Sequence, residues 1–339
     1  MTGTTLSRAE RKAAQRARLR ASLPDLATLT AALGAVLGAE TADGPIEIVN
    51  RRPNEYASSF PSEVVTCRLR DGHELRVLVK LQGGQSHRAH GHRGDVAYEA
   101  IVYRQVLHPL TCSAPRWHGS YVDPTTGEHW LVIEYVDGAV RIADAEHSAV
   151  AMRLAARWSA RFHAANEDRV ATASLAFLNT YDADYYEQWA QRTATLAEGL
   201  HHRYPWLAPL CHRFGRFVEP LLGATTVIHG EYAPKNTLLL GERVCPVDWE
   251  SAAIAAGEID LASLTDGSWP PEMVKECTLE YHRTRWPAGA PSDFAVRLEL
   301  ARLYWNYRWL GERRDWTTDA RGAKRLRNLR IVAERLELI

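Results

Sequence analysis

The sequence predicts an α+β protein whose first part is mainly strand and whose second is mainly helix, and three observations carry that prediction. Between about residues 45 and 136, short apolar runs are bounded by turn residues, with one helix inserted. Beyond Gly138 apolar residues recur at helical spacing over long stretches. One short β patch, Thr226–His229, Thr237–Leu240 and Val244–Asp248, interrupts those helices. The chain therefore reads as a helical extension over 1–44, a small β-rich lobe over 45–136 and a larger helical lobe over 137–339.

Taken in order, Ser7–Ala21 is rich in Arg, Lys and Ala and reads as an exposed helix, and Leu26–Leu37 as a packed one. Glu63–Leu69 and Leu75–Leu81 flank Asp71-Gly72, a strong hairpin signal. Gly94–Leu107 follows as a helix. Trp117–Val122 and His129–Val136 form a second strand pair, broken by Asp123-Pro124-Thr125-Thr126-Gly127. The later helices are expected over 146–166, 183–200, 206–222, 271–283 and 292–337.

Composition excludes several classes. Lys+Arg and Asp+Glu are both 41 among 339 residues, so no global charge favours nucleic acid or a membrane surface. No apolar run approaches the roughly 20 residues of a membrane helix, and the amino terminus lacks a signal-peptide core. The cysteines, Cys67, Cys112, Cys211, Cys245 and Cys277, are odd in number and far apart, as expected of reduced thiols in the cytoplasm.

The chemistry-bearing residues suit a polyphosphate. Lys80 follows the apolar strand Leu75–Val79, so a rigid element carries its charge, and Glu99, nineteen positions on, can hold the ammonium in place. His229 and Gly230 end a strand, and Glu231 follows as a carboxylate able to accept a proton from a hydroxyl. Asn236 and Asp248 come together at the open end of the hairpin 237–248 and offer the hard oxygens that Mg²⁺ prefers. Glu250 adds a further carboxylate in Asp248-Trp249-Glu250.

Val227–Leu264 resembles the catalytic core of the aminoglycoside phosphotransferase and choline kinase superfamily. That group carries His-Gly-Asp-x-x-x-x-Asn, then Asp-Trp-Glu and Asp-Leu-Ala. The matches are His229, Gly230, Asn236, Asp248-Trp249-Glu250 and Asp260-Leu261-Ala262, together with Lys80 and Glu99. The resemblance covers about 45–265 and implies a protein-kinase-like bilobal fold and transfer of phosphate from ATP with Mg²⁺. By that resemblance Glu231 is the base, Asn236 and Asp248 hold magnesium, and Lys80 binds the phosphates of ATP. His229 and Asp260 support the loop, and backbone groups of Glu134, Tyr135 and Val136 meet the adenine. The implied acceptor is the hydroxyl of a small molecule: an aminoglycoside, amino sugar or choline-like alcohol. Its rivals are a Ser or Thr of a peptide, or a nucleotide-binding scaffold serving a partner enzyme.

Two departures from the pattern stand out. Glu231 occupies a position where most relatives have Asp, and its side chain reaches one methylene further. The segment Asn54–Ser62 lacks the glycines of a phosphate-covering loop, so the hydroxyls of Ser58, Ser59 and Ser62 are the expected donors. His87, His90 and His92 sit in a loop at a spacing too weak for a metal site, and the tryptophans read as core. Asp182 and Asp184 open a helix with Tyr181, Tyr185 and Tyr186 on the expected acceptor side, where a helix cap is the plainer role.

Overall fold

The computed structural model describes residues 8–38, 46–57, 60–83, 92–223, 225–312 and 320–339. Ser58, Ser59, His87 and His90 lie outside the described residues. The chain divides into two units, Met1–Ala139 and Val140–Ile339.

The first unit opens with helices α1 (Arg8–Ala21) and α2 (Leu26–Leu37). Strands β1 (Glu47–Pro53), β2 (Ser62–Arg68), β3 (Glu74–Leu81), β4 (Trp117–Val122) and β5 (His129–Glu134) form an antiparallel sheet in the order β1-β2-β3-β5-β4. Asp25 caps α2 by accepting from Thr28 N–H at 2.8 Å, and Leu29, Ala32, Leu33, Val36 and Leu37 make one apolar stripe. That stripe packs with Val65, Cys67, Val77, Val79, Trp130 and Val132 of the sheet. The close approach needs Gly119, because a Cβ there would stand 2.8 Å from Val36 Cγ1. β1 was not expected from the sequence: its Glu-Ile-Val-Asn-Arg-Arg-Pro lies at the sheet edge, where polar side chains are tolerated and alternation is weak. The helix expected over Gly94–Leu107 begins later, at α3 (Val96–Val102), capped by Asp95, and its last five residues widen into a π-turn.

In the second unit β6 (Val140–Arg141) is followed by α4 (Ser148–Asn166), β7 (Asn179–Thr180) and α5 (Ala183–Leu196). The helix expected over 206–222 is broken into α6 (Leu207–Arg213), a 3₁₀ turn and α7 (Glu219–Leu222), since Gly215 and Pro220 interrupt it. Next come β8 (Thr225–Ile228), β9 (Thr237–Leu240), β10 (Arg243–Pro246), β11 (Ala253–Ala256), α8 (Glu258–Leu264) and α9 (Pro271–Arg285). The chain ends with α10 (Phe294–Glu312) and α11 (Ala320–Arg335). These last two replace the single helix expected over 292–337. They pack against each other, which one continuous rod cannot do. Two small sheets, β10-β9-β6 and β7-β11-β8, carry the segments between them.

Candidate active site

β8 delivers His229 and Gly230 to a carboxylate waiting on the first turn of α8. Asp260 Oδ2 accepts from His229 N–H at 2.7 Å, and Oδ1 accepts from Gly230 N–H at 2.9 Å. Gly230 has φ +77, and a Cβ there would lie 2.1 Å from the Ser251 carbonyl oxygen, so only glycine fits. A relay stands behind Asp260. His163 Nε2 lies 3.1 Å from Oδ2, its Nδ1 lies 2.8 Å from the Tyr281 hydroxyl, and Arg285 donates to that hydroxyl at 2.6 Å. Burial pushes the His163 pKa down against the pull of Asp260, so the ring is neutral. A neutral ring with its proton on Nε2 satisfies every partner: Nε2–H donates to Asp260 and Nδ1 accepts from Tyr281.

Three further contacts fix the loop. The His229 ring donates from Nε2 to Val247 O at 2.9 Å and accepts from Glu231 N–H at Nδ1, 3.2 Å away. Trp249, between Asp248 and Glu250, packs on the His229 ring at 4.5 Å. Tyr232 is wholly buried, donates to Ala155 O of α4 at 2.9 Å and stacks on Trp158. The Glu231 side chain is left partly buried, 14% exposed.

Glu231 does not stand alone. Arg308 of α10 donates from one terminal nitrogen to Glu231 Oε1 at 2.9 Å and from the other to Gly230 O. Its guanidinium lies over the Trp305 ring, 5.1 Å from the centroid, and its side chain is 3% exposed. Burial works to lower the Arg308 pKa, but Glu231 and the tyrosines Tyr304, Tyr181 and Tyr185 raise it above the ordinary arginine value.

The hairpin β9–β10 closes beside the loop. Val247 N–H donates to Asn236 O at 2.9 Å, which brings Asp248 next to Asn236 at the hairpin's open end, as the spacing predicts. Asn236 Nδ2 donates to Glu231 O at 3.2 Å, so the donor end of the amide faces the loop and Oδ1 is the end suited to a cation. Asp248 adopts a left-handed conformation, φ 66 and ψ 59, uncommon outside glycine and frequent at functional sites. One carboxylate and one amide oxygen are hard donors that fit Mg²⁺ completed by phosphate oxygens and water. Among the described residues no group of three His, Cys, Asp or Glu could hold a metal alone.

In the first unit Lys80 and Glu99 meet, Nζ to Oε2 at 2.6 Å, and both are buried. Lys80 Nζ also lies 5.4 Å from the Phe60 ring centroid. Ser62 is not a loop residue. It opens β2 directly opposite Lys80 and accepts from Asn54 Nδ2 at 3.1 Å. Glu134 N–H donates to Arg116 O at 2.8 Å and Tyr135 N–H to Arg76 O at 3.1 Å. Both of these N–H donors are spent inside the unit.

Asp182 caps α5 by accepting from Tyr185 N–H at 2.8 Å, and both it and Asp184 are exposed. Glu250 is buried. His92 is buried too, against the expectation of a solvated loop residue. Sequence reasoning missed Arg308, His163, Tyr281 and Arg285. Arg308 carried a faint signal, a cation amid Leu303-Tyr304-Trp305-Asn306-Tyr307, where burial forces it to find an anion. His163 carried none: it is one polar residue on a long helix. Elsewhere in this unit α8–α11 surround a groove of about 640 Å³ whose walls include Asp266, Trp269, Glu299, Arg302, Trp305 and Asn306.

The profile of the phosphotransferase enzyme family matches residues 62–321, and the chain belongs to that family. It is a phosphotransferase acting on a hydroxyl acceptor. Among solved structures it is similar to a choline kinase from Cryptosporidium parvum Iowa II, with 12% identity, TM-score 0.61, and 92% of this chain and 97% of that one covered. A choline/ethanolamine kinase family protein from Mesorhizobium loti gives 17%, 0.54, and 91% and 94%. A spectinomycin phosphotransferase solved with ADP and spectinomycin gives 10%, 0.56, and 92% and 94%. At such identities the likeness speaks for the fold alone, a protein-kinase-like one with a β-sheet amino-terminal region and a helical carboxy-terminal region. Among proteins of curated function none matches the chain in sequence. Among the described residues no helix is long and apolar enough to cross a membrane.

Proposed function

We propose that the chain transfers the γ-phosphate of ATP to the hydroxyl of a small molecule, an aminoglycoside-, amino-sugar- or choline-like alcohol, in the cytoplasm. The observation that carries this reading is the loop clamped by Asp260, in which the main chain of Glu231 is tied through its carbonyl oxygen to Asn236 at the open end of the hairpin. In the reaction the acceptor oxygen bonds to the γ-phosphorus, the bond to the β–γ bridging oxygen breaks, ADP leaves, and Glu231 takes the hydroxyl proton. Lys80, held by Glu99, is the cation for the ATP phosphates. Asn236 and Asp248 are the residues that hold Mg²⁺, whose charge, when bound, offsets that of the phosphates.

A second reading has one observation in its favour. A base gripped by a buried arginine, as Glu231 is by Arg308, also suits a nucleotide-binding scaffold that assists a partner enzyme. The two are separated by incubating the protein with Mg²⁺·ATP and a pool of aminoglycosides, amino sugars, choline, ethanolamine and hydroxyl-bearing peptides, with mass spectrometry as the readout. Phosphate should appear on a small alcohol, and Asp248→Asn should abolish it while weakening ATP affinity only when Mg²⁺ is present. ATP binding with no phosphate on any member of the pool gives the scaffold the lead.

A further inference from the structure

We propose that Arg308 is the positioning residue that sets the Glu231 carboxylate in its working place on this loop. The inference rests on Glu231 being the base. A glutamate as base brings two difficulties that an aspartate would not. Its carboxylate stands one methylene, about 1.5 Å, further out, and it has one more rotatable bond, so its position is less defined. Displacements near 1 Å at a reacting group can cost about 10²-fold in rate.

Arg308 answers both. Its two terminal nitrogens grip consecutive residues of the loop, one the Gly230 carbonyl oxygen and the other Glu231 Oε1 at 2.9 Å. A planar fork that binds main chain and side chain together closes a ring around Glu231 and fixes where the carboxylate stands relative to its own backbone. The fork is itself held from several sides. It springs from the last third of α10, rests on the face of Trp305, and is buried among Tyr181, Tyr185 and Tyr304. Those tyrosines are locked in turn. Tyr181 and Tyr185 stack with ring centroids 3.8 Å apart, and the hydroxyls of Tyr185 and Tyr304 lie 3.0 Å apart. The path from a rigid helix to the loop carboxylate therefore contains no exposed, freely turning link.

Aspartate at position 231 would end one methylene short of this fork. The arginine and the glutamate form one device, and neither is expected to work well alone.

The test compares four proteins: the wild type, Arg308→Lys, Glu231→Gln, and the double variant. Turnover is read as ADP release from Mg²⁺·ATP with water as the acceptor, ATP affinity by calorimetry, and folding by thermal unfolding. Lysine keeps the charge but has no fork, so Arg308→Lys should lower kcat about 10–100-fold while leaving ATP affinity within about 2-fold. In the Glu231→Gln background the same change should alter the residual kcat by less than about 2-fold, because nothing is left to position. An equal loss of kcat in both backgrounds would make Arg308 a general structural residue and overturn the proposal. The standing of Glu231 as base is read separately, from Glu231→Gln alone. Full turnover in that variant removes the base, and the positioning role goes with it. Arg308→Met, checked by circular dichroism, should lose at least as much kcat as lysine if it folds, and a folded Met variant with wild-type kcat overturns the proposal as well.

Discussion

Lys80–Glu99 in the first unit and Arg308–Glu231 in the second are both buried cation–carboxylate pairs, at 2.6 and 2.9 Å, yet their exposure is reversed. In the first the lysine is the more accessible partner, 9% against 2%, and in the second the glutamate is, 14% against 3%. The more accessible member is in each case the one whose chemistry a substrate would need, a cation for phosphate or an anion for a hydroxyl proton. The deeper member holds it. Burying an ion pair seldom stabilises a protein relative to an apolar filling, so such pairs are better explained by the position they impose.

That comparison is most directly broken at Glu231. Glu231→Gln keeps the shape and removes the charge, and it should lower turnover about 10²–10⁴-fold with ATP affinity unchanged. Glu231→Asp keeps the charge but gives up the reach to Arg308, so it should also lose activity, by about 10-fold or more. Steady-state kinetics on both variants decide the matter. An aspartate variant faster than wild type would mean that the site is degraded and that Arg308 restrains the loop without serving it.

The first pair makes the complementary case. Glu99→Gln takes from a buried ammonium the carboxylate that stands 2.6 Å from it, and breaking such a pair typically costs about 3–5 kcal/mol of stability. It should also weaken ATP binding, as Lys80→Ala should, because the cation is no longer held. Denaturant unfolding and calorimetry on the same samples check both effects. The contrast with Arg308→Lys, expected to spare ATP binding, is what sharpens the comparison. Should Glu99→Gln leave ATP affinity intact, Lys80 is held by something other than Glu99.

The two pairs also differ in how visible they are in sequence. Lys80 ends an apolar strand and Glu99 opens a helix, so a local pattern places each on a rigid element. The loop from His229 to Asn236 and the hairpin to Asp248 are contiguous in the chain, and their spacing alone brings Asn236 and Asp248 together. Arg308 lies 77 residues beyond Glu231, on a helix whose aromatic residues read simply as core. Nothing local records which turn of α10 will face the loop. The same limit hid β11, since Ala253-Ile254-Ala255-Ala256 becomes a strand only because β8 and β7 pair on either side of it. α2, in contrast, was legible to the residue, because its cap, its apolar stripe and its terminal glycine are all local.

The smallest predicted effect concerns a third buried pair, His163 and Asp260, 3.1 Å apart. It has the geometry of an ion pair but not the charge, because burial holds the ring neutral. Neutrality matters to the loop: the Asp260 side chain faces the N–H groups of His229 and Gly230, and a neutral ring does not compete with them as a cation would. The consequence is a specific dependence on pH. In the unfolded chain the histidine titrates at its ordinary value, 6.5, and in the folded protein it titrates lower. Between those two values the unfolded chain binds more protons, so acid favours unfolding there. The stability that His163 contributes is therefore fully present above about 6.5 and is lost as pH falls below it, by about 1.4 kcal/mol for each unit of depression. His163→Gln keeps a donor for Asp260 and removes the titration. Urea unfolding of both proteins at pH 7.5 and 5.5 should show the wild type losing more stability than the variant, even though the variant starts lower. Equal losses would mean that the fold leaves the His163 titration unshifted, and a smaller loss in the wild type would mean that His163 carries a proton in the fold and that the brace beneath the loop is an ion pair after all.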